Sequence, residues 1–134
     1  MPISMSSLDS ITRLNATAKD LLIYIFDLAP LDVGVLFLLL KNKKPMTLED
    51  IAKKLSRDKT TISRSTQKLI GAGLCARDVR TLKGGGYYNV YNTVDLETFK
   101  QQTEMRIKEI QTSFERIMQK FEEDISKAIA SFYR

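Results

Sequence analysis

The sequence predicts a mainly α-helical chain with a small β-hairpin, arranged as a winged helix-turn-helix flanked by long N- and C-terminal dimerisation helices. Two short amphipathic segments meet at the tight turn Ser56-Arg57, as the two helices of a helix-turn-helix do. Two β-rich runs then flank the glycine-rich connection Lys83–Gly86, which indicates a hairpin. From Asp95 onward the chain has no glycine or proline, which favours one long helix.

The composition limits the chemistry that this chain can perform. It has 134 residues, the size of a single domain, with no histidine and one cysteine. Histidine-based catalysis, zinc sites of the Cys/His type and an internal disulfide are therefore excluded. We expect a protein that is not an enzyme and that uses no metal and no cofactor. The lone cysteine fits the reducing cytoplasm, and residues 1–10 do not have the pattern of a secretory signal.

Residues 1–29 are predicted to form one N-terminal helix that supports a dimer. Ser6 and Asp9 match a capping box, which marks a helix start. An almost wholly apolar stripe then continues at helical spacing as far as Ile25.

The segment from Leu21 to Leu40 has the length of a membrane span and is mostly apolar. Asp27 and Asp32 would each cost about 2.5–3.5 kcal/mol near the centre of a membrane helix. Pro30 lies between them and interrupts a continuous helix. We therefore interpret this segment as two buried helices of a soluble core and expect no membrane partner.

Residues 30–94 are predicted to form the winged-helix domain. Its first helix, Asp32–Lys43, is apolar nearly all round and is expected to be buried. Its last elements are two strands within Leu74–Leu82 and Tyr87–Val94.

The helix-turn-helix lies between these elements. Thr47 and Asp50 match a capping box at the start of its first helix. Asp58 has the character of a cap for its second helix, from Lys59 to about Ala72, which Gly73 ends.

Residues 95–134 are predicted to form a dimerisation helix. Apolar side chains recur about every 3.6 residues, which indicates a nearly straight helix with little supercoil. At 1.5 Å per residue this helix would be about 60 Å long, which exceeds the width of a domain of this size. A second copy of the chain is therefore the simplest partner that could cover its apolar stripe. The residues predicted to make this homodimer are Leu96, Phe99, Ile107, Ile110, Phe114, Ile117, Phe121 and Ile125.

Positive charge is concentrated in the middle of the chain. Residues 41–94 carry twelve basic and four acidic side chains, whereas the segments on either side are slightly acidic. The net charge of the whole chain is +5. Positive charge confined to the winged-helix segment indicates a surface that binds double-stranded DNA.

The second helix of the helix-turn-helix is the predicted reading element. Helical geometry places Arg64 and Gln67 opposite a buried face centred on Ile62. That buried face is predicted to hold Ile62, Ser65, Thr66 and Leu69. Arg suits guanine and Gln suits adenine, while Lys59 adds positive charge at a helix N-terminus that favours phosphate. The predicted DNA-binding residues of this helix are Lys59, Thr60, Thr61, Ser63, Arg64, Gln67 and Lys68.

The hairpin is predicted to contact the phosphate backbone. It carries Arg77, Arg80 and Lys83, and the glycines at its tip would let the backbone approach DNA closely. The glycines are equally compatible with an ordinary flexible turn. The tyrosines of the second strand are more typical of cross-strand packing than of base stacking.

Cys75 is expected to be a buried structural residue. It begins a strand just after Gly73-Leu74, and no basic side chain adjoins it to stabilise a thiolate.

The stretch from Met46 to Lys100 resembles archaeal predicted transcriptional regulators of the TrmB/MarR-like winged-helix group. The apolar run LDVGVLFLLL before it and the long helix after it are similar to that group's preceding helix and dimerisation helix, and RTLKGGGYYNVY is the most specific part. The resemblance implies a dimeric, sequence-selective, DNA-binding regulator. Cysteine redox sensing is known among MarR-like regulators. The ligand-binding domain of full-length TrmB-type sugar sensors is not expected here, because the sequence ends at Arg134.

Two other functions fit the same residues. One is an abundant nucleoid protein that coats DNA with little sequence preference. The other is a winged helix that binds an acidic protein of the transcription machinery. The sequence leaves open the operator, the direction of regulation and any small-molecule effector.

Overall fold

The computed structural model describes residues 7–133, which form two compact units that divide after Lys100. The first unit contains α1 (Ser7–Thr12), α2 (Ala18–Ile25), α3 (Pro30–Lys41), α4 (Leu48–Leu55), α5 (Lys59–Gly71), β1 (Ala76–Thr81), β2 (Tyr87–Asn92) and the start of α6 (Leu96–Gln119). The second unit contains the rest of α6 and α7 (Phe121–Phe132). This is the mainly helical chain with a small hairpin that the sequence predicts.

The core of the first unit lies where α3, α4 and α5 meet. Leu36, Ile51 and Ile62 contribute one fully buried side chain from each of these helices. Burial of a side chain of this size contributes about 1.5–3 kcal/mol. The same apolar cluster includes Leu74 and Tyr91, so the base of the hairpin is part of the core.

Local capping defines both helices of the helix-turn-helix, as predicted. The Asp50 amide donates to the Thr47 hydroxyl at 3.1 Å, and the Asp50 carboxylate accepts from the Thr47 amide. At α5, the Thr61 amide donates to the Asp58 carboxylate at 2.7 Å. The turn between the helices places Ser56 in the left-handed region with φ 54°, which reverses the chain within a few residues.

The hairpin forms the wing. Strands β1 and β2 pair antiparallel, with Ala76 opposite Asn92 and Thr81 opposite Tyr87. Gly84–Gly86 all have positive φ, so this tip requires glycine. Met46 pairs with Tyr91 through two backbone hydrogen bonds of 2.9 and 2.7 Å, which attach the link before α4 to β2.

The single N-terminal helix predicted from the sequence is wrong. The chain leaves the helix after Thr12 and begins α2 at Ala18. Asp20 caps the start of α2, because its carboxylate accepts hydrogen bonds from the Thr17 amide at 2.9 Å and from the Thr17 hydroxyl at 3.3 Å. A local cap therefore prevails over continuous apolar spacing. Ser6, the predicted cap of the longer helix, lies outside the described residues.

Helix α3 begins at Pro30, two residues before the predicted start, because proline is favoured in the first turn of a helix. Within the described range 7–133, no individual helix is long and apolar enough to cross a membrane. Helices α2 and α3 reach that length and composition only together, with a bend of 115° between them. Both helices contribute buried side chains to the core, as expected for this segment.

The prediction of one uninterrupted C-terminal helix is also wrong, because the helix breaks at Lys120. Helix α6 ends at Gln119, and Lys120 leaves the helical conformation with φ −106° and ψ 6°. Helix α7 then starts at Phe121 with Glu122, Glu123 and Asp124 in its first turn. Acidic side chains stabilise a helix N-terminus, so this cluster favours a new helix start without glycine or proline.

Candidate DNA-binding surface

Helix α5 buries one face and exposes the other, as predicted. Its buried side chains are Ile62, Ser65, Thr66 and Leu69. Thr60, Arg64 and Gln67 are exposed on the opposite face, while Thr61 and Ser63 are half-buried at its margins. The fold therefore presents the side chains of the predicted reading set together on one helix.

These side chains border a shallow groove between α4 and α5. The groove has a volume of about 420 Å³ and is lined by Leu48, Lys59, Thr60, Ser63, Arg64 and Gln67. Its lining is polar and cationic around one apolar side chain, which suits the edge of a base or a sugar-phosphate group rather than an apolar ligand.

Two carboxylates modify the charge at the start of α5. Hydrogen bonding from Thr61 lowers the pKa of Asp58, so this cap carries its negative charge at neutral pH. Lys59 pairs with Glu49 of α4, and its ammonium lowers the pKa of that carboxyl. Lys59 therefore has an anionic partner within the protein as well as the predicted one on DNA.

Lys68 also has an anionic partner that the sequence prediction missed. Its Nζ lies 3.2 Å from Oδ2 of Asp32, and Ser65 donates its hydroxyl to Oδ1 of the same carboxylate. The Asp32 side chain is only 7% exposed, whereas that of Lys68 is 47% exposed. An Asp in an almost wholly apolar helix is the sequence signal, since a buried carboxylate requires partners.

The wing presents its basic side chains to solvent. Arg77, Arg80 and Lys83 are all exposed. Arg77 and Arg80 lie opposite Tyr91 and Tyr88 across the hairpin and thus project from different faces of it.

The tyrosines of β2 differ from one another in burial. Tyr91 is buried in the core, in agreement with the predicted packing role. Tyr87 is 75% exposed and Tyr88 is 41% exposed, so these two are accessible at the wing surface.

The thiol of Cys75 is buried, as expected. Its side chain is 8% exposed, and burial raises its pKa from 9.0 to about 11. A thiol of this kind is a poor nucleophile at neutral pH. In residues 7–133, no group of three or more metal-binding side chains comes together.

The second unit exposes much of the apolar stripe predicted for dimerisation. Phe114, Ile117, Phe121 and Ile125 are each between 44% and 56% exposed. Phe99 is different, because it is 7% exposed and belongs to the core of the first unit. It therefore has almost no surface to offer a second subunit, and its place in the predicted stripe is corrected.

A helix-turn-helix followed by a hairpin wing, with one polar face of α5 exposed, defines a class of protein, the winged-helix proteins. The family described as sugar-specific transcriptional regulator TrmB matches residues 22–97, more than half of the chain. The chain belongs to this TrmB family, and so to a group of transcriptional regulators rather than of enzymes.

Two relatives of this chain come from one archaeon. An uncharacterized protein of Methanocaldococcus jannaschii is 39% identical over 85 residues, a match that covers 63% of this chain and 64% of the relative. A second protein of that archaeon is 38% identical over 81 residues, covering 60% of this chain and 66% of its own length. The chain thus matches less than two thirds of the length of these relatives.

Two archaeal structures share the fold. A possible transcriptional regulator from Methanosarcina mazei has a TM-score of 0.67 and 21% identity, over 83% of this chain and 93% of that one. A protein of Sulfolobus tokodaii has a TM-score of 0.58 and 26% identity, over 71% and 92% of the two chains. Both likenesses cover the winged-helix architecture that the sequence predicts.

Proposed function

We propose that this protein is a sequence-selective regulator that binds double-stranded DNA as a homodimer. In this proposal α5 enters the major groove and the wing follows the phosphate backbone. The observation that carries the proposal is the division of α5 into a buried anchoring face and an exposed face with Arg64 and Gln67.

The exposed face of α5 supplies the reading chemistry. A guanidinium can donate two hydrogen bonds to guanine, and a carboxamide can both donate to and accept from adenine. Thr60 lies on the same side one turn before Arg64, where a hydroxyl can contact either kind of base. Because the opposite face is buried in the core, the helix offers these groups from a fixed support.

Backbone binding is assigned to the basic wing and to the start of α5. Lys83 stands beside glycines with positive φ, where the chain can approach a phosphate without an intervening Cβ. Arg77 and Arg80 extend positive charge along the hairpin. Such contacts fix orientation on DNA and contribute affinity but little sequence information.

The homodimer is proposed on the exposed apolar side chains of α6 and α7. Phe114 and Ile117 share one side of α6, and Phe121 and Ile125 share one side of α7, because the members of each pair are three or four residues apart. Full burial of such a side chain contributes about 1.5–3 kcal/mol, and each of these is already about half-buried, so covering the rest contributes about half of that amount and favours a second copy over water. We assign residues 95–134, apart from the buried Phe99, to dimerisation, residues 30–94 to DNA binding and residues 1–29 to support of the dimer.

This proposal is tested by selecting sites from a random duplex library and comparing one selected site with random duplex in a salt series. If the protein is a sequence-selective regulator, its affinity for the selected site at moderate salt should exceed its affinity for random duplex about a thousandfold. Equal affinity for both DNAs would instead indicate a nucleoid protein that coats DNA in the cytoplasm. Absence of binding even at low salt would indicate a protein-interaction module.

A further inference from the structure

One buried carboxylate, that of Asp32, joins α3 to α5, the helix proposed to read DNA. Oδ2 of Asp32 accepts a 2.7 Å hydrogen bond from the Ala29 amide at the start of α3. Its Oδ1 accepts a 2.5 Å hydrogen bond from the hydroxyl of Ser65, 33 positions later in α5. Lys68 completes the set with an ion pair of 3.2 Å to Oδ2.

These contacts hold α5 at two points on one side. Ser65 and Lys68 are three residues apart, so both project from α5 toward the same carboxylate. Apolar neighbours such as Ile62 and Leu69 are fully buried and hold the helix against the core. Hydrogen bonds depend on direction as well as distance, and they strengthen in surroundings from which water is excluded.

Rotation of α5 decides which side chains face outward. Arg64 and Gln67 immediately precede Ser65 and Lys68, respectively, in the chain. A turn of the helix about its axis would therefore move the exposed reading side chains by the same angle as the two residues that contact Asp32. A misplaced guanidinium loses the bidentate geometry that distinguishes one base from another.

We propose that Asp32 is a positioning residue for sequence selectivity, acting through Ser65 and Lys68 to fix the rotation of α5. In this role Lys68 is directed to Asp32 and not to a DNA phosphate. The inference rests on the proposed function of α5 as the reading helix.

The first test compares two buried hydroxyls of α5. Ser65→Ala removes the bond to Asp32, whereas Thr66→Val removes a hydroxyl that bonds within α5, to the Ser63 carbonyl at 2.9 Å. Thermal unfolding checks that both variants fold. The selectivity ratio, the affinity for a selected site divided by that for random duplex, is expected to fall about tenfold for Ser65→Ala. For Thr66→Val it is expected to stay within about twofold of the wild type.

The second test separates positioning from phosphate contact. Lys68→Met is expected to lower the selectivity ratio and to leave the dependence of affinity on salt unchanged. Lys83→Met at the wing tip is expected to weaken binding to both DNAs equally and to lower the slope of log affinity against log salt concentration by about one. A salt slope lowered by about one in Lys68→Met, with both DNAs weakened equally, would overturn the role of Lys68.

The remaining outcomes are also decisive. If Ser65→Ala keeps the wild-type ratio, or if Thr66→Val loses as much selectivity, the positioning role of Asp32 is wrong. If the wild-type protein itself binds both DNAs alike, the proposed function fails before any variant is compared. The wild-type measurement therefore distinguishes the two failures.

Discussion

Lys59, the first residue of α5, forms an ion pair with Glu49 in the first turn of α4. Both side chains are about 60% exposed, so solvent screens their attraction and the pair contributes little to stability. Its larger effect is on DNA binding, because the Glu49 carboxylate competes with phosphate for Lys59.

Removal of that carboxylate is expected to strengthen DNA binding. Glu49→Gln would leave Lys59 available to phosphate and remove a charge that repels DNA, raising affinity for selected and random duplex alike by about two- to fivefold. Glu104→Gln, which makes the same change of charge in the second unit, is the control and should change affinity less. Fluorescence anisotropy at low salt measures both, and equal gains in the two variants would attribute the effect to net charge alone.

Arg64 and Lys83 are expected to differ in what they contribute to binding. Arg64→Ala should weaken binding to the selected site by about 1–3 kcal/mol more than it weakens binding to random duplex, because a bidentate contact to a base is lost. Lys83→Ala should weaken both DNAs equally and lower the salt slope by about one. Titrations of each variant across a salt series check this, and equal losses for both DNAs in Arg64→Ala would mean that the helix does not read bases.

The apolar side of α6 is expected to control assembly. Ile117→Glu places a charge on a side chain that is 56% exposed in the isolated chain and that we assign to the dimer contact. Burying an unpaired carboxylate at that contact costs several kcal/mol, so the variant should be a monomer at micromolar concentration. Gln119→Glu adds the same charge two residues later, on another side of α6, and should remain dimeric. Sedimentation velocity decides between these states, and a wild-type monomer at that concentration would contradict the homodimer.

Cys75 is expected to resist modification in the folded protein. With its pKa raised from 9.0 to about 11, the folded chain carries roughly a hundredfold less thiolate at neutral pH than the unfolded chain. A disulfide reagent should therefore label native protein slowly and urea-unfolded protein quickly, with Cys75→Ala as the blank. Because the pKa is raised in the fold, the stabilisation from the neutral thiol is present below pH 9.0 and is lost as the pH rises toward about 11. Rapid labelling of native protein at neutral pH would show that the thiol is accessible and reactive.

Local sequence signals were sufficient to predict the helix-turn-helix. Thr47 and Asp58 are capping residues whose hydrogen bonds reach only three positions along the chain. The buried face of α5 follows from helical spacing alone once Ile62 is taken as its centre. These features depend only on residues that are close in the sequence, so they can be predicted without knowing the fold.

Features that depend on competing or distant groups were not predictable in the same way. The continuous apolar spacing near Thr17 and Lys120 concealed two helix breaks, because local caps and acidic first turns act against periodicity. The contact of Lys68 with Asp32 joins residues far apart in the chain. A basic residue on a helix margin can serve DNA or a buried carboxylate, and only the packing of α3 against α5 shows that the carboxylate is within reach.

The backbone bridge between Met46 and Tyr91 has a consequence for how the first unit folds. It connects the residue before the α4 cap to the last part of the hairpin, so its formation closes α4, α5 and β1 into a single loop. The entropy of closing that loop is lost once, for the whole segment. We therefore expect the helix-turn-helix and the wing to fold as one cooperative unit, and we expect a substitution that loosens the strands to weaken the start of α4 as well.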